Sequence, residues 1–141
     1  MFVCPPSILV VDDDAWVRDV VVTLLRDAEF RVEEARSAPE ALDLIDRDEF
    51  DVAIVDVCLP GGCNGVELVR WARLRKPRLR CLFISGFSNP VVDEPERDDF
   101  VQKPFRPAEL LGCVWEVLQR TPLQRPRRRP AWAGKAIDHG K

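Results

Sequence analysis

The sequence predicts a doubly wound α/β fold, a five-stranded parallel sheet with helices on both faces, and three observations carry that expectation. Ser7 to Val11 (SILVV), Asp51 to Asp56 (DVAIVD) and Arg80 to Ile84 (RCLFI) hold short, almost continuous apolar runs. They lack the alternation of a sheet with one wet face, so they read as strands buried on both sides. Between the strands, apolar residues recur at helical spacing, and the alternation of the two kinds of segment calls for parallel strands joined by right-handed crossovers. Finally, the polar residues gather at strand ends. Asp12 and Asp13 end the first strand, Asp56 the third and Ser85 the fourth, and Lys103 follows the fifth. In an open parallel sheet the carboxyl ends of the strands border the functional crevice, so these residues converge on one edge.

After the first strand, Trp16, Val17, Val20, Val21, Leu24 and Leu25 repeat with helical period, predicting a helix of about four turns. Arg31 to Ala35 stands where the second strand is required. Ser37 caps a helix from Ala38 to about Arg47, with Pro39 in its first turn and Glu40 three residues after the cap. The third strand breaks into Pro60, Gly61 and Gly62. Asn64 or Gly65 then opens a helix bearing Val66, Leu68, Val69, Ala72 and Leu74, which Lys76-Pro77 ends. From Ser88 to Asp99, Pro90 and Pro95 and a crowd of acids exclude a long amphipathic helix, so the fourth helix is expected to be reduced or missing. Phe100 and Val101 form a short fifth strand. Leu110, Leu111, Val114, Val117 and Leu118 mark a last helix from Pro107 to about Gln119. Trp16, Trp71 and Trp115 lie on predicted helices, and a place at the edge of the core is favoured for them over an interface.

At 141 residues the chain suits one domain, which would bury about two thirds of its unfolded surface. Residues 1–6 read as an N-terminal extension, 7–119 as the domain and 120–141 as a basic tail. That tail holds three prolines and seven Lys or Arg against Asp138, a net of +6 that leaves −9 for residues 1–119. Its composition is that of a disordered segment, and without a reading helix or sheet specific nucleic-acid binding is not expected. Five cysteines without a C-x-x-C pair fit no disulfide framework or common zinc spacing. No basic leader or long apolar run indicates secretion or a membrane. A cytoplasmic protein is the expectation.

Three carboxylates held close together repel, each pair by about 4 kcal/mol at 4 Å and an effective dielectric of 20. A divalent cation resolves this, and hard oxygen ligands with room for water suit Mg²⁺ or Mn²⁺. With the cation and the Lys103 ammonium in place, the edge becomes attractive to a phosphoryl group. Ser85 offers a hydroxyl to one of its oxygens, and Asp56 is the candidate nucleophile.

Four motifs, ILVVDDD, DVAIVDVCLPGG with Asn64-Gly65 following, FISG and FVQKPF, resemble in this order the receiver domain of two-component response regulators, over about residues 7–119. The resemblance implies the flavodoxin-like strand order 2-1-3-4-5 and a histidine kinase or histidine phosphotransfer protein as phosphodonor. It makes Asp56 the phosphoryl acceptor, Asp13 a direct metal ligand, Asp12 a ligand mainly through water, and the backbone carbonyl of Cys58 a further ligand. It also implies that Ser85 moves toward the phosphoryl group, that Lys103 pairs with it, that Phe100 changes rotamer as part of the switch, and that Lys103-Pro104 is cis. Two departures stand out: a loop from Pro60 to Gly65 one residue longer than usual, and a shortened stretch from Ser85 to Lys103.

The expected function is therefore a stand-alone response regulator that promotes its own phosphorylation and dephosphorylation and signals or relays in trans to an unidentified output protein, with a homodimer left open. The alternatives are a phosphorylation-independent adaptor or dimerisation module, an Asp-nucleophile phosphohydrolase and a flavin-type cofactor binder. Against the hydrolase, Cys58 stands where a general-acid Asp would be needed; against the cofactor binder, Asp12 to Asp14 would repel a phosphate.

Overall fold

The computed structural model describes residues 4–61, 64–86 and 99–120. The chain runs β1 (Ser7–Val11), α1 (Ala15–Asp27), β2 (Arg31–Ala35), α2 (Ala38–Arg47), β3 (Val52–Asp56), α3 (Gly65–Arg75), β4 (Arg80–Ser85), β5 (Asp99–Gln102) and α4 (Pro107–Gln119). The five strands are parallel and ordered β2-β1-β3-β4-β5. Strand order reverses between β1 and β3, and the crevice above that reversal is where such a sheet binds ligands.

Period-two alternation divides the core between the two faces of the sheet. Leu9, Val11, Ala53 and Val55 pack under α2 and α3, together with Ala41, Ile45, Leu68, Val69 and Ala72. Ile8, Val10, Val52 and Ile54 pack under α1 and α4, with Val21, Val22, Leu25, Leu110, Val114 and Val117. Both β1 and β3 are therefore apolar along almost their whole length, whereas edge strand β2 exposes Arg31, Glu33 and Glu34.

Local chemistry sets the helix boundaries. Asp14 caps α1, its carboxylate accepting from the amides of Trp16 and Val17, and Ser37 caps α2 by accepting from Glu40. Asn64 and Glu67 form a reciprocal capping box at the start of α3.

The expectation for the tryptophans fails for Trp16 and Trp71 and holds for Trp115, which lies at the edge of the core with its ring 5.2 Å from that of buried Phe30. Trp16, Trp71 and Trp115 are 76%, 52% and 38% exposed, and Leu74, one of the apolar residues that mark α3, is 82% exposed. The sheet-facing stripe of α3 is filled by Leu68, Val69 and Ala72, which turns Trp71 and Leu74 outward; in α1, Val21, Val22 and Leu25 fill that place. Strand β5 begins at Asp99, one residue ahead of the expected Phe100. The loop expected over Ser88 to Asp99 otherwise lies outside the described residues, as does the tail beyond Arg120.

Candidate functional site

Among the described residues, burial at the carboxyl edge of the sheet falls on three polar residues, Asp12, Asp56 and Ser85, which are 2%, 6% and 1% exposed. Each ends or follows a different strand. Asp12 is anchored by its amide to the carbonyl of Ala35 at 3.1 Å, and its Oδ1 accepts the Asp14 amide at 2.9 Å. Asp56 closes β3, and its Oδ1 accepts the Cys58 amide at 3.1 Å. The carboxylates of Asp12, Asp13 and Asp56 present oxygens within 4.8 Å of one another, Asp13 being the exposed member. From the far end of the sheet, Lys103 places Nζ 3.3 Å from both Asp12 Oδ2 and Asp56 Oδ2.

Lys103 is held in place by its backbone. Its amide donates to the carbonyl of Ser85 at 2.7 Å, and the Lys103-Pro104 bond is cis. Strands β4 and β5 pair Ser85 with Gln102, so the hydroxyl-bearing strand end and the lysine form one ledge. Phe100 lies deeper, buried, with its ring stacked on Phe83 at 5.4 Å. The Cys58 side chain is exposed.

One ammonium stands against three carboxylates. Burial first, and then the neighbouring charge of Asp12, push the Asp56 carboxyl up to about 6, while the Cys58 amide and Lys103 hold it back. Burial acts to lower the Lys103 ammonium, but Asp56 and Asp12 outweigh it, and the group lies above its ordinary value. The donor set is made of hard oxygens with one open, solvent-facing member, which fits a divalent cation of the Mg²⁺ or Mn²⁺ kind. Carbon-13 detection of the carboxyl groups in metal-free protein should find Asp56 titrating near pH 6. Lys103→Met should move that midpoint higher, because it removes a cation that favours the ionised form. An unchanged midpoint in the variant would show that the two side chains do not interact in solution.

One site residue was missed in the sequence, where Gly65 reads only as a residue at the opening of a helix. A Cβ at Gly65 would stand 2.1 Å from the backbone carbonyl oxygen of Asp56 and 2.9 Å from Val57 Cα. The Gly65 amide also donates to the Val57 carbonyl at 3.0 Å. The first turn of α3 thus rests directly on the backbone that carries Asp56. A glycine at N1, just inside a well-capped helix where it weakens helical propensity, was the available signal.

A sequence model of the response regulator receiver domain matches residues 8–114. The chain belongs to this family. The receiver is 35% identical over 119 residues to the regulatory protein VanR of Enterococcus faecium, an alignment covering 81% of this chain and 50% of VanR. With the transcriptional regulatory protein GltR of Pseudomonas aeruginosa the identity is 34% over 129 residues, covering 86% and 52%. The chain thus spans about half the length of the curated relatives it matches. Among solved structures, the CheY-like receiver domain protein of Methanospirillum hungatei superposes with a TM-score of 0.71 at 28% identity, covering 81% of this chain and 94% of that one. The chemotaxis protein CheY4 of Vibrio cholerae gives 0.72 at 28%, covering 82% and 100%. The receiver shares with this family a signalling fold. Among the described residues, no helix is long and apolar enough to cross a membrane.

Proposed function

We propose that this receiver accepts a phosphoryl group on Asp56 from a histidine kinase or a histidine phosphotransfer protein, in a reaction that depends on Mg²⁺ or Mn²⁺. The observation that carries the reading is the meeting of Asp56 with Asp12, Asp13 and Lys103, the last lying 91 positions from Asp12 in the chain. Asp12, Asp13, Asp56 and the Cys58 carbonyl would hold the cation, which when bound supplies positive charge to the carboxylates and to the phosphoryl oxygens. An oxygen of Asp56 forms the new O–P bond as the P–N bond to the donor's imidazole breaks, and the electron pair leaves with the imidazole nitrogen. Lys103 stabilises the ionised nucleophile beforehand and the charge on the phosphoryl oxygens during transfer. Ser85 donates its hydroxyl to one of those oxygens, and Ser85 and Phe100 form the switch.

Residues 7–119 constitute the receiver in this reading and 120–141 a separate basic tail. In this reading the domain acts in the cytoplasm and passes its signal by contact with a partner protein. Incubation with Mg²⁺ and a small-molecule phosphodonor should give one acid-stable, hydroxylamine-labile acyl phosphate, and a chelator should prevent it. Failure to form any adduct with the cation present would overturn the proposal.

A further inference from the structure

We propose that Arg18 is a positioning residue for the cation site, setting the Asp12–Asp13 peptide from within α1 with Glu34 as its brace; the inference rests on the cation-dependent reading above. Arg18 lies one turn into α1, where its amide donates to the Asp14 carbonyl at 2.9 Å. Helical side chains lean toward the N-terminus, which returns the guanidinium to the end of β1. There Nη1 donates to the backbone carbonyl of Asp12 at 2.7 Å, and Nε donates to Glu34 Oε1 at 3.0 Å. The Arg18 side chain is 16% exposed, and Glu34 belongs to edge strand β2, paired with Val10. One planar fork therefore ties together α1, the exit of β1 and the edge of the sheet.

The Asp12 carbonyl needs such a partner. Its own amide takes the last carbonyl of β2, Ala35, and the pairing of β1 with β3 ends at Val11 and Val55. Beyond the ladder, a carbonyl attached to a residue 2% exposed is costly without a donor. That carbonyl shares a rigid plane with the Asp13 amide, so its direction fixes where the chain leaves for Asp13. Asp13 is the exposed carboxylate of the cluster, and its place depends on this backbone. Arg18 touches no cation in this arrangement; it acts through the peptide, and Glu34 holds the fork at the angle that reaches it.

The sign of the effect separates positioning from charge. Arg18 is a cation beside an acidic edge, so by charge alone its removal would tighten divalent binding. Positioning predicts the reverse. Mn²⁺ titration of the full chain, with free Mn²⁺ counted by electron paramagnetic resonance, should show Arg18→Met binding about tenfold more weakly than wild type, the usual consequence of losing an outer partner of a metal site. Arg18→Lys, which keeps the charge and one donor but loses the fork, should recover part of the loss, and Glu34→Gln, which keeps an acceptor for Nε, should stay close to wild type. Urea unfolding of each metal-free variant establishes that the folded state is being titrated. Equal or tighter Mn²⁺ binding by folded Arg18→Met overturns the inference. If that variant does not fold, Arg18→Lys decides, and wild-type affinity there overturns it equally. No Mn²⁺ uptake by the wild-type chain would overturn the cation-dependent reading itself, an outcome distinct from uptake that is indifferent to Arg18.

Discussion

Asp56→Asn is expected to abolish phosphoryl incorporation and, in metal-free solution, to leave the fold more stable than wild type. The two effects share one cause. Burial and the charge of Asp12 raise the Asp56 carboxyl from 3.8 to about 6, so at neutral pH the ionised side chain is worse off folded than unfolded. At about 1.4 kcal/mol per unit, the shift corresponds to a cost on the order of 3 kcal/mol. Asn has nearly the same shape without the charge, although it gives up the attraction to Lys103. The net gain in urea unfolding should be about 1 to 3 kcal/mol. The pH dependence follows in sign. Between the unfolded value and about 6 the folded state binds more protons, so this group's contribution falls as pH rises through that window and is restored on acidification toward 4. Metal-free wild type should therefore gain stability relative to Asp56→Asn as pH falls from 7 to 5. Millimolar Mg²⁺ should close the gap at pH 7 by stabilising wild type. A variant that is less stable than wild type without metal, or that still forms the hydroxylamine-labile adduct, would contradict the assignment.

Gly65→Ala should be the most damaging change of a single methyl group. Its Cβ would meet the Asp56 carbonyl oxygen at 2.1 Å and two further backbone atoms at 2.9 Å. No side chain can rotate away, so either α3 lifts off its seat or the Asp56–Val57 backbone moves. Overpacking of this kind costs about 3 kcal/mol or more. The displaced backbone is that of the proposed acceptor, so labelling of the folded fraction should drop as well. Gly112 gives the opposite result from the same substitution. It lies exposed within α4 with nothing within 4 Å of an added Cβ, and alanine there should stabilise by up to about 1 kcal/mol. If Gly65→Ala unfolds at the same urea concentration as wild type, the close approach of α3 to β3 is not present in solution.

Much of the fold was legible in the order of residues, because the signals are local. The apolar run of β3 and the spacing of Val21 and Leu25 report strand and helix without knowledge of any neighbour, and caps such as Ser37 and Asn64 act within four residues. The converging set of Asp12, Asp13, Asp56, Ser85 and Lys103 was legible for a related reason. A parallel sheet aligns all its carboxyl ends on one edge, so a polar residue at a strand's end has its place assigned by topology. What remained undetermined depended on which neighbour covers which side. Helical spacing tells that Trp71 and Leu74 lie near one another on α3, but only the sheet beneath Leu68, Val69 and Ala72 shows that they face out. Gly65 and Arg18 owe their roles to backbone atoms of other elements, at contacts with no periodic trace in the sequence. The sequence by itself determined which side chains reach the edge. Tertiary structure decided the state in which Asp56 waits there, because a carboxyl's affinity for its proton depends on burial and on distances to charges such as Asp12, and both come from elements packed together only in the folded chain.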